Sequence, residues 1–554
     1  MKQAVPLLWV LKRMHRRIPA LLLLIAASAG TAVFGVVFAL GTRNVIDAAI
    51  SGTQEAFLTA CLQQGGIIFG ILLCLFLSRN LTDRLNADLD RDWKRDILHD
   101  LLRGDYTAVS QYHSGELIHR LNNDVRIVNE GLIVALPNVV AMIARMVSAF
   151  AVLTSLEPWF AVVVCALGMI VVVGTGFMRR KLKTLHKIVS EKEGKVSAFL
   201  QETLENLLIV QAMDLSGEME RRSDGLLQQR YQVQRKRKNV TLFANTGISI
   251  MSYGSGFVAL VWCASRLLAG TMSFGSLTAI TNLVNQLQSP FTSLSAVIPK
   301  YIAMVASSER LMELENIPAD LPPASEDAHI LYEKMDAIRA ERLTFSYDRD
   351  QVLRDANFVL PKGSFAAVTG PSGTGKSTLL KLLLGIYHPE QGGLYLSCGE
   401  NLHLLDRSTR RLFAYVPQGN LLLSGTLREN LLIAKPDATD VEIQQAVYVS
   451  AIDEYLSQLP LGLDTVLGEG GAGLSEGQAQ RVAIARAVLG GAPILLLDEC
   501  TSALDHETEK IVLARIRTLP NRTCIAVTHR PAALELCDLK LEIMDAKVKT
   551  HTIP

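Results

Sequence analysis

The chain has 554 residues, room for about three to five domain-sized units, so a single-core globule is excluded. Lysine and arginine number 55 against 54 aspartates and glutamates, which excludes a nucleic-acid binder working through bulk positive charge. A mean hydropathy of +0.25 requires long apolar runs, and the scattered cysteines, with no C-x-x-C pair, argue against a disulfide framework or a zinc site.

Residues 19–41 run 23 positions without a charge, enough for a helix to cross a hydrocarbon core of about 30 Å. This run is longer than the apolar core of a signal peptide and a second run, 56–78, follows closely, so the first is read as an uncleaved span. Further spans are predicted over 133–155 and 158–178, a tight antiparallel pair turning at Glu157 and Pro158, and over 242–267 and 274–304, for six in all. Gly65, Gly66, Gly254 and Gly256 read as close-packing or hinge points. Arg145, within the third predicted span, either serves a substrate or gating role or sits at a wetted helix end. Asn282, Asn285, Gln286 and Gln288 on the last span either line a translocation path or bond between helices.

Lysine and arginine number 5 over residues 1–18, 8 over 79–130 and 14 over 179–240, whereas the intervening loops hold only Arg43, with Arg266 at a helix edge. The positive-inside rule places both termini in the cytoplasm. The two long inside segments are amphipathic and lack helix-breaking clusters, so they are expected to prolong the membrane helices. The RKRK run at 235–238 is accounted for as a positive-inside flank, with anionic lipid as the alternative partner.

Hydropathy falls beyond residue 307, where IPADLPPASEDAHI combines three prolines with acidic residues. The layout expected is a membrane domain over 1–308, a linker over 309–335 and a soluble α/β domain over 336–554, in which β-branched runs alternate with helical stretches.

Within that domain, residues 370–377 read GPSGTGKS between the strand-like FAAVT and the helix-like TLLKLLLG, the context a phosphate-binding P-loop requires. Gly370, Gly373 and Gly375 let backbone N–H groups close around a triphosphate, Lys376 reaches its terminal phosphates, and Ser377 offers a hydroxyl to Mg2+. A second apolar run, ILLL, ends in Asp498 and Glu499 at the carboxyl edge of a buried strand, one suited to Mg2+ and the other to orienting an attacking water.

Residues 474–478, LSEGQ, lie upstream of this acidic pair, with Ser475 23 positions before Asp498. With that motif the chain resembles an ATP-binding cassette transporter, whose signature LSGGQ differs only at Glu476. Further family marks follow in order. Tyr347 in FSY resembles the aromatic that stacks on adenine, Gln418 in YVPQ the glutamine that senses Mg2+, residues 502–505 the SALD loop, and His529 in VTHR the histidine that contacts the γ-phosphate. Residues 111–125 are similar to the segment after the first coupling helix of the exporter fold, residues 206–216 match the region of the second, and TVLGEGGAG (465–473) resembles the TxVGExG stretch of exporters.

The resemblance implies six membrane helices of the exporter fold followed by an α/β P-loop NTPase domain. It implies an ATPase that drives export of an amphipathic compound, lipid or peptide. Uptake by the same fold and a non-transport ATPase regulating a membrane partner are the alternatives. The expected nucleotide-binding set is Tyr347, Gly370, Pro371, Ser372, Gly373, Thr374, Gly375, Lys376, Ser377 and Thr378, with Ser475, Gly477 and Gln478 supplied by a second half-transporter. Ser377, Gln418 and Asp498 are the expected Mg2+ residues, and Glu499, His529 and Gln418 the catalytic ones. A homodimer is favoured over a heterodimer because none of these residues is missing here. The expected location is a bacterial plasma membrane, with lipid and an unidentified cargo as partners and no nucleic acid. Cys500 stands where the family has alanine and is read as a small buried hydrophobe.

Overall fold

The computed structural model describes residues 4–320, 328–347, 350–419, 422–468, 471 and 473–553, with backbone alone at 4, 5, 163–180, 183, 244, 248, 252, 289–296, 298, 328, 329 and 532. Residues 321–327 of the expected linker, and 469, 470 and 472 of the TVLGEGGAG stretch, lie outside this description. The chain divides into two units. One comprises Met1–Asp100 and His113–Asn316, the other Leu101–Tyr112 and Ile317–Pro554.

The first unit is built on six long helices, Ile18–Ser51, Gln54–Arg103, Leu136–Leu156, Pro158–Glu205, Ser216–Leu268 and Phe274–Glu315. Among the described residues four helical stretches are long and apolar enough to cross a membrane, His15–Ser51, Gln54–Arg103, Ser114–Leu156 and Ser216–Leu268. The remaining two predicted spans include 163–178 and 289–296, whose side chains fall outside the description. A helix satisfies all its own backbone groups, which is what an uncharged run of this length requires in hydrocarbon. At 1.5 Å per residue the 50 residues of Gln54–Arg103 reach ~75 Å, far beyond the uncharged run that ends at Ser78. On this helix Leu62, Phe69 and Phe76 are each more than two-thirds exposed, a face suited to lipid.

The helices pack through small and branched side chains, with Val36, Ala39, Ala149, Leu153, Ala259, Ile280 and Leu283 in one core. Polar contacts fix their ends. Asp47 accepts hydrogen bonds from the Ser273 hydroxyl at 2.8 Å and the Gly275 backbone N–H at 3.0 Å, capping the last helix from the first. A Cβ at Gly275 would lie 2.5 Å from the Arg43 carbonyl oxygen, so only glycine allows this approach. Gln286 donates to the Gly35 carbonyl at 2.9 Å and Gln288 to the Ser255 hydroxyl, whereas Asn282 and Asn285 are exposed. Arg145 is half-buried within Leu136–Leu156. Gly65, Gly66, Gly254 and Gly256 do not sit at close contacts: an added Cβ would meet nothing within 4 Å. Among the described residues no packing constraint accounts for these glycines.

Between the second and third long helices, two π-helical turns, Arg120–Asp124 and Glu130–Ala135, pack against the last helix. Asp124, fully buried, takes Arg310 in an ion pair and accepts from the Ser307 hydroxyl at 3.0 Å, while Arg120 pairs with Glu116 at 2.8 Å and Glu313 at 2.9 Å.

In the second unit, β1 (Ala337–Tyr347), β2 (Asp350–Pro361), β4 (Gln391–Cys398) and β5 (Asn401–Leu404) form an antiparallel sheet of order β2-β1-β4-β5. The central sheet, of order β12-β11-β3-β10-β9-β6, contains β3 (Phe365–Thr369), β6 (Phe413–Val416), β9 (Ile494–Asp498), β10 (Thr523–Val527), β11 (Leu539–Met544) and β12 (Lys547–Thr552). It is parallel except for β12. A two-residue pair, β7 (Gly425–Thr426) and β8 (Val466–Leu467), completes the strands. Every residue of β3, β9 and β10 is buried, as expected for parallel strands covered on both faces. Leu101–Tyr112 belongs to this unit: Gly104 bridges Ala319, and the Asp105 N–H donates to the Pro318 carbonyl at 2.8 Å. The last long helix runs to Glu315, into the stretch expected as linker.

Removing one partner of a buried ion pair leaves the other uncompensated. Asp124→Ala is therefore expected to cost on the order of 2–3 kcal/mol, below the value for a fully buried pair because Arg310 is 41% exposed. Glu313→Ala, at a carboxylate 55% exposed, is expected to cost less than about 1 kcal/mol. Thermal unfolding midpoints of the detergent-purified variants compare the two, and equal shifts would contradict this ranking.

Candidate functional site

Strand register gathers the motif residues. Val527 of β10 pairs with Val368 of β3 on one side and with Asp498 of β9 on the other, so the chain leaves all three strands at one edge. That carboxyl edge carries Gly370, Glu499 and His529, and ligands of open parallel sheets bind at such an edge.

Gly370–Gly375 turns from β3 into the helix Lys376–Leu383. Gly375 occupies the N-cap at φ +94°, where a Cβ would lie 2.1 Å from Val352 Cγ1, and one at Gly370, φ +146°, would lie 2.4 Å from the Ile543 carbonyl oxygen. Backbone donors and the helix dipole thus meet at a bend that side chains would block. Pro371, Ser372 and Gly373 form its exposed tip, and the Thr374 hydroxyl donates to the Pro371 carbonyl at 2.9 Å. Lys376 is buried and folds back on the loop, its Nζ donating to the carbonyls of Gly370 at 3.0 Å and Pro371 at 2.9 Å.

Asp498, 1% exposed, accepts from the Ser377 hydroxyl at 2.9 Å on one oxygen and from the Tyr415 hydroxyl at 3.0 Å on the other. Burial pushes its pKa up, and the neighbouring Glu499 adds to this against the two hydrogen bonds. Burial and Asp498 likewise raise the Tyr415 phenol. A buried carboxylate beside a hydroxyl offers hard oxygen ligands, and its residual charge favours a divalent cation. Two such ligands suit Mg2+, which keeps several waters and takes few protein ligands. At the head of the same loop the Thr369 hydroxyl is buried without a partner among the described residues. Glu499 holds φ +48°, a strained conformation for a side chain of its kind, fixed by its N–H to the Val527 carbonyl at 3.2 Å. Its carboxylate accepts from Gln418 Nε2 at 2.7 Å. His529 is exposed on the next loop.

Tyr347, 42% exposed, ends β1 and bonds through its hydroxyl to Thr378 Oγ1 at 3.2 Å. Its ring is set edge-on by Phe345, centroids 5.0 Å apart, and by Tyr387 at 5.5 Å; Tyr387 also stacks on Phe345 and meets Tyr106 at 6.1 Å. Sequence reasoning missed Tyr387, Phe345 and Tyr415. Phe345 was legible as the residue two before Tyr347 on a strand, and Tyr415 as the alternate residue in YVPQ, but nothing near Tyr387 in sequence points to this site.

The signature motif is a helix start. Ser475 is the N-cap of Glu476–Leu489 in a capping box: its hydroxyl accepts from the Gln478 backbone N–H at 3.3 Å, and the Gln478 side-chain Oε1 accepts from the Ser475 backbone N–H at 2.8 Å. Glu476 is exposed in the first turn, where the helix dipole favours a carboxylate. At Gly477 a Cβ would lie 2.9 Å from the Ala503 carbonyl oxygen, and Gln480 binds Ser502 and Ala503, both at 3.2 Å. Arg530, next to His529, grips the same turn through the carbonyls of Leu504 at 2.7 Å and Ser502 at 2.6 Å. Among the described residues no hydrogen bond or ion pair joins Ser475, Gly477 or Gln478 to Gly370–Thr378. Cys500 is 2% exposed, its thiol pushed up to about 12 by burial and then by Asp498. It packs as a small hydrophobe.

Residues 18–291 match the family model described as ABC transporter transmembrane region, and residues 353–502 the one described as ABC transporter. The ABC multidrug transporter mdr2 of Aspergillus fumigatus is 30% identical over 440 residues, 76% of this chain and 54% of that protein, so this chain spans about half its length. The ATP-dependent lipid A-core flippase of Desulfotalea psychrophila is 27% identical over 461 residues, covering 82% of this chain and 80% of that one. In fold, the chain is similar to a solved bacterial Atm1-family ABC exporter with ATP bound, at a TM-score of 0.79 and 23% identity over 97% of this chain and 95% of the other. With both halves matched in this order, the chain belongs to the ABC transporter family, as a half-transporter with one membrane domain fused to one ATP-binding domain.

Proposed function

We propose that this chain is an ATP-driven exporter that works as a homodimer in a bacterial plasma membrane, with termini and ATP-binding domain cytoplasmic and the domain limits read from the sequence at 308 and 336. The observation that carries the reading is the shared sheet edge, where P-loop, acidic pair and His529 converge while the signature helix of the same chain stays unlinked to that loop. Its relatives include proteins named for lipid A-core flipping, iron–sulfur cluster transport and leukotoxin export, consistent with an amphipathic compound, lipid or peptide as cargo.

In this reading ATP stacks its adenine on Tyr347 and lays its phosphates along Gly370–Thr378. Lys376 exchanges its two carbonyl partners for phosphate oxygens. Ser377, Asp498 and Gln418 would hold Mg2+, whose charge offsets that of the phosphates. Glu499 orients a water and takes its proton, its carboxylate steadied by Gln418, and His529 meets the γ-phosphate. Ser475, Gly477 and Gln478 of a second copy close the open face of the nucleotide, offering a helix N-terminus to its phosphates. Closure of the two ATP-binding domains then drives the membrane helices from inward-open to outward-open, and hydrolysis resets them.

Glu499→Gln is expected to preserve ATP binding and slow hydrolysis on the order of 10²–10⁴-fold, trapping a closed dimer; near-normal turnover would remove Glu499 from this role. Tyr347→Ala should weaken ATP by about 1 to 3 kcal/mol. Tyr387→Ala, acting through the placement of Tyr347, should raise the KM for ATP about two- to tenfold at nearly constant kcat, and Tyr387→Phe should restore it. A loss in kcat alone would contradict positioning. When active chains are mixed with Glu499→Gln chains, ATPase should fall roughly as the square of the active fraction. A linear fall would sink the paired site. Substrate-stimulated ATPase with ATP-dependent uptake into inside-out vesicles tests export itself, and ATPase without cargo movement would point instead to a regulatory ATPase.

A further inference from the structure

The first unit contains a cleft of 350 Å3 between the helices Ile18–Ser51 and Gln54–Arg103 and the residues that lead into Leu136–Leu156. Ligand sites are commonly of this size. Leu24, Ile133 and Val134 line it together with Arg79, Asp83 and Asn138. Arg79 is the first residue beyond the uncharged run 56–78, and Leu24 lies six positions into its helix, so the cleft sits where the helices leave hydrocarbon for the inner headgroup region.

The two charges stand one turn apart on one helix face, four residues apart in sequence. Both are exposed; at the same spacing and in the same order Arg43 and Asp47 pair at 3.5 Å, whereas Arg84 and Asp88 on the same helix do not. Arg79 and Asp83 do not pair, and neither forms an ion pair or hydrogen bond with any other described residue. A cation and an anion that are not paired with each other thus line one cleft together with apolar side chains. A ligand that matches it carries both charges a few ångströms apart and an apolar chain.

We propose that this cleft binds the head of a zwitterionic amphiphile, its anionic group on Arg79 and its ammonium group on Asp83, with the start of its tail along Leu24, Ile133 and Val134. A phosphoethanolamine head on a single acyl chain has this chemistry. Reading the ligand as cargo rests on the export function proposed above; the binding itself does not.

The test uses the full chain purified in a nonionic detergent and measures equilibrium binding of radiolabelled lysophosphatidylethanolamine. Competition by lysophosphatidylglycerol, dodecyltrimethylammonium and tail-free glycerophosphoethanolamine separates anion, cation and head alone. Lysophosphatidylethanolamine is expected to bind tightest. Arg79→Ala and Asp83→Ala should each weaken it about tenfold or more, and Arg79→Asp combined with Asp83→Arg should return affinity to within about threefold of the parent. Basal ATPase should be unchanged in all three, which also reports that they fold. Equal affinity for the single-charge probes, tail-free head binding as tight as the lysolipid, or unaltered binding in the alanine variants would each overturn the proposal. Retained charge-dependent binding with no effect of lysophosphatidylethanolamine on ATPase or on transport into vesicles would uphold the site and reject the export reading of it.

Discussion

The buried carboxylate of Asp498 is the interaction on which the ATP-binding domain turns. It ends β9 of a sheet in which β3, β9 and β10 have no exposed residue, and its two oxygens hold Ser377 from the P-loop helix and Tyr415 from the neighbouring edge strand. A carboxylate so placed is costly to ionise. The same burial makes it responsive to a cation, because the charge that solvent does not screen is available to a ligand. The loop and the sheet are thereby tied into one arrangement around the residues proposed to hold Mg2+.

Around that point the fold spends strain where reactive groups must project. Glu499 adopts a positive φ directly after the buried strand, and Gly370 and Gly375 sit where neighbouring atoms leave no room for a side chain. The surroundings fix these positions through many ordinary contacts: Gln480 and Arg530 bind the turn 502–504 from two sides, joining the signature helix and the His529 loop to the same segment. A shift of that turn would therefore be felt at both. The aromatic group around Tyr387 does the same at the other end of the site, since one ring touches Phe345, Tyr347 and Tyr106.

The membrane unit follows a different economy. Its helices need no partner for their backbones, so what specifies their arrangement is side-chain packing and a few polar ties. Asp47 caps the last helix from the first, Gln286 reaches Gly35, and Asp124 with Arg310 locks the π-helical segment to the last helix.

The sequence by itself determined the helical membrane half, the α/β half and the motif residues, because these depend on local quantities: uncharged run length, apolar patterning and glycine spacing at a phosphate loop. Its linear order also fixed that one membrane domain precedes one ATP-binding domain. Only the tertiary structure decided what depends on approach between distant segments. Tyr387 entered the site through ring packing forty residues away from Tyr347, and Tyr415 through strand pairing with β9. Leu101–Tyr112 proved to belong with the second unit, since the Asp105 N–H bonds the Pro318 carbonyl and the Arg103 carbonyl accepts from the Asp320 N–H. Of the four glycines read as close-packing or hinge points, none meets a close neighbour among the described residues, because a glycine in sequence states what a backbone can tolerate, and only its neighbours in three dimensions state whether anything comes near.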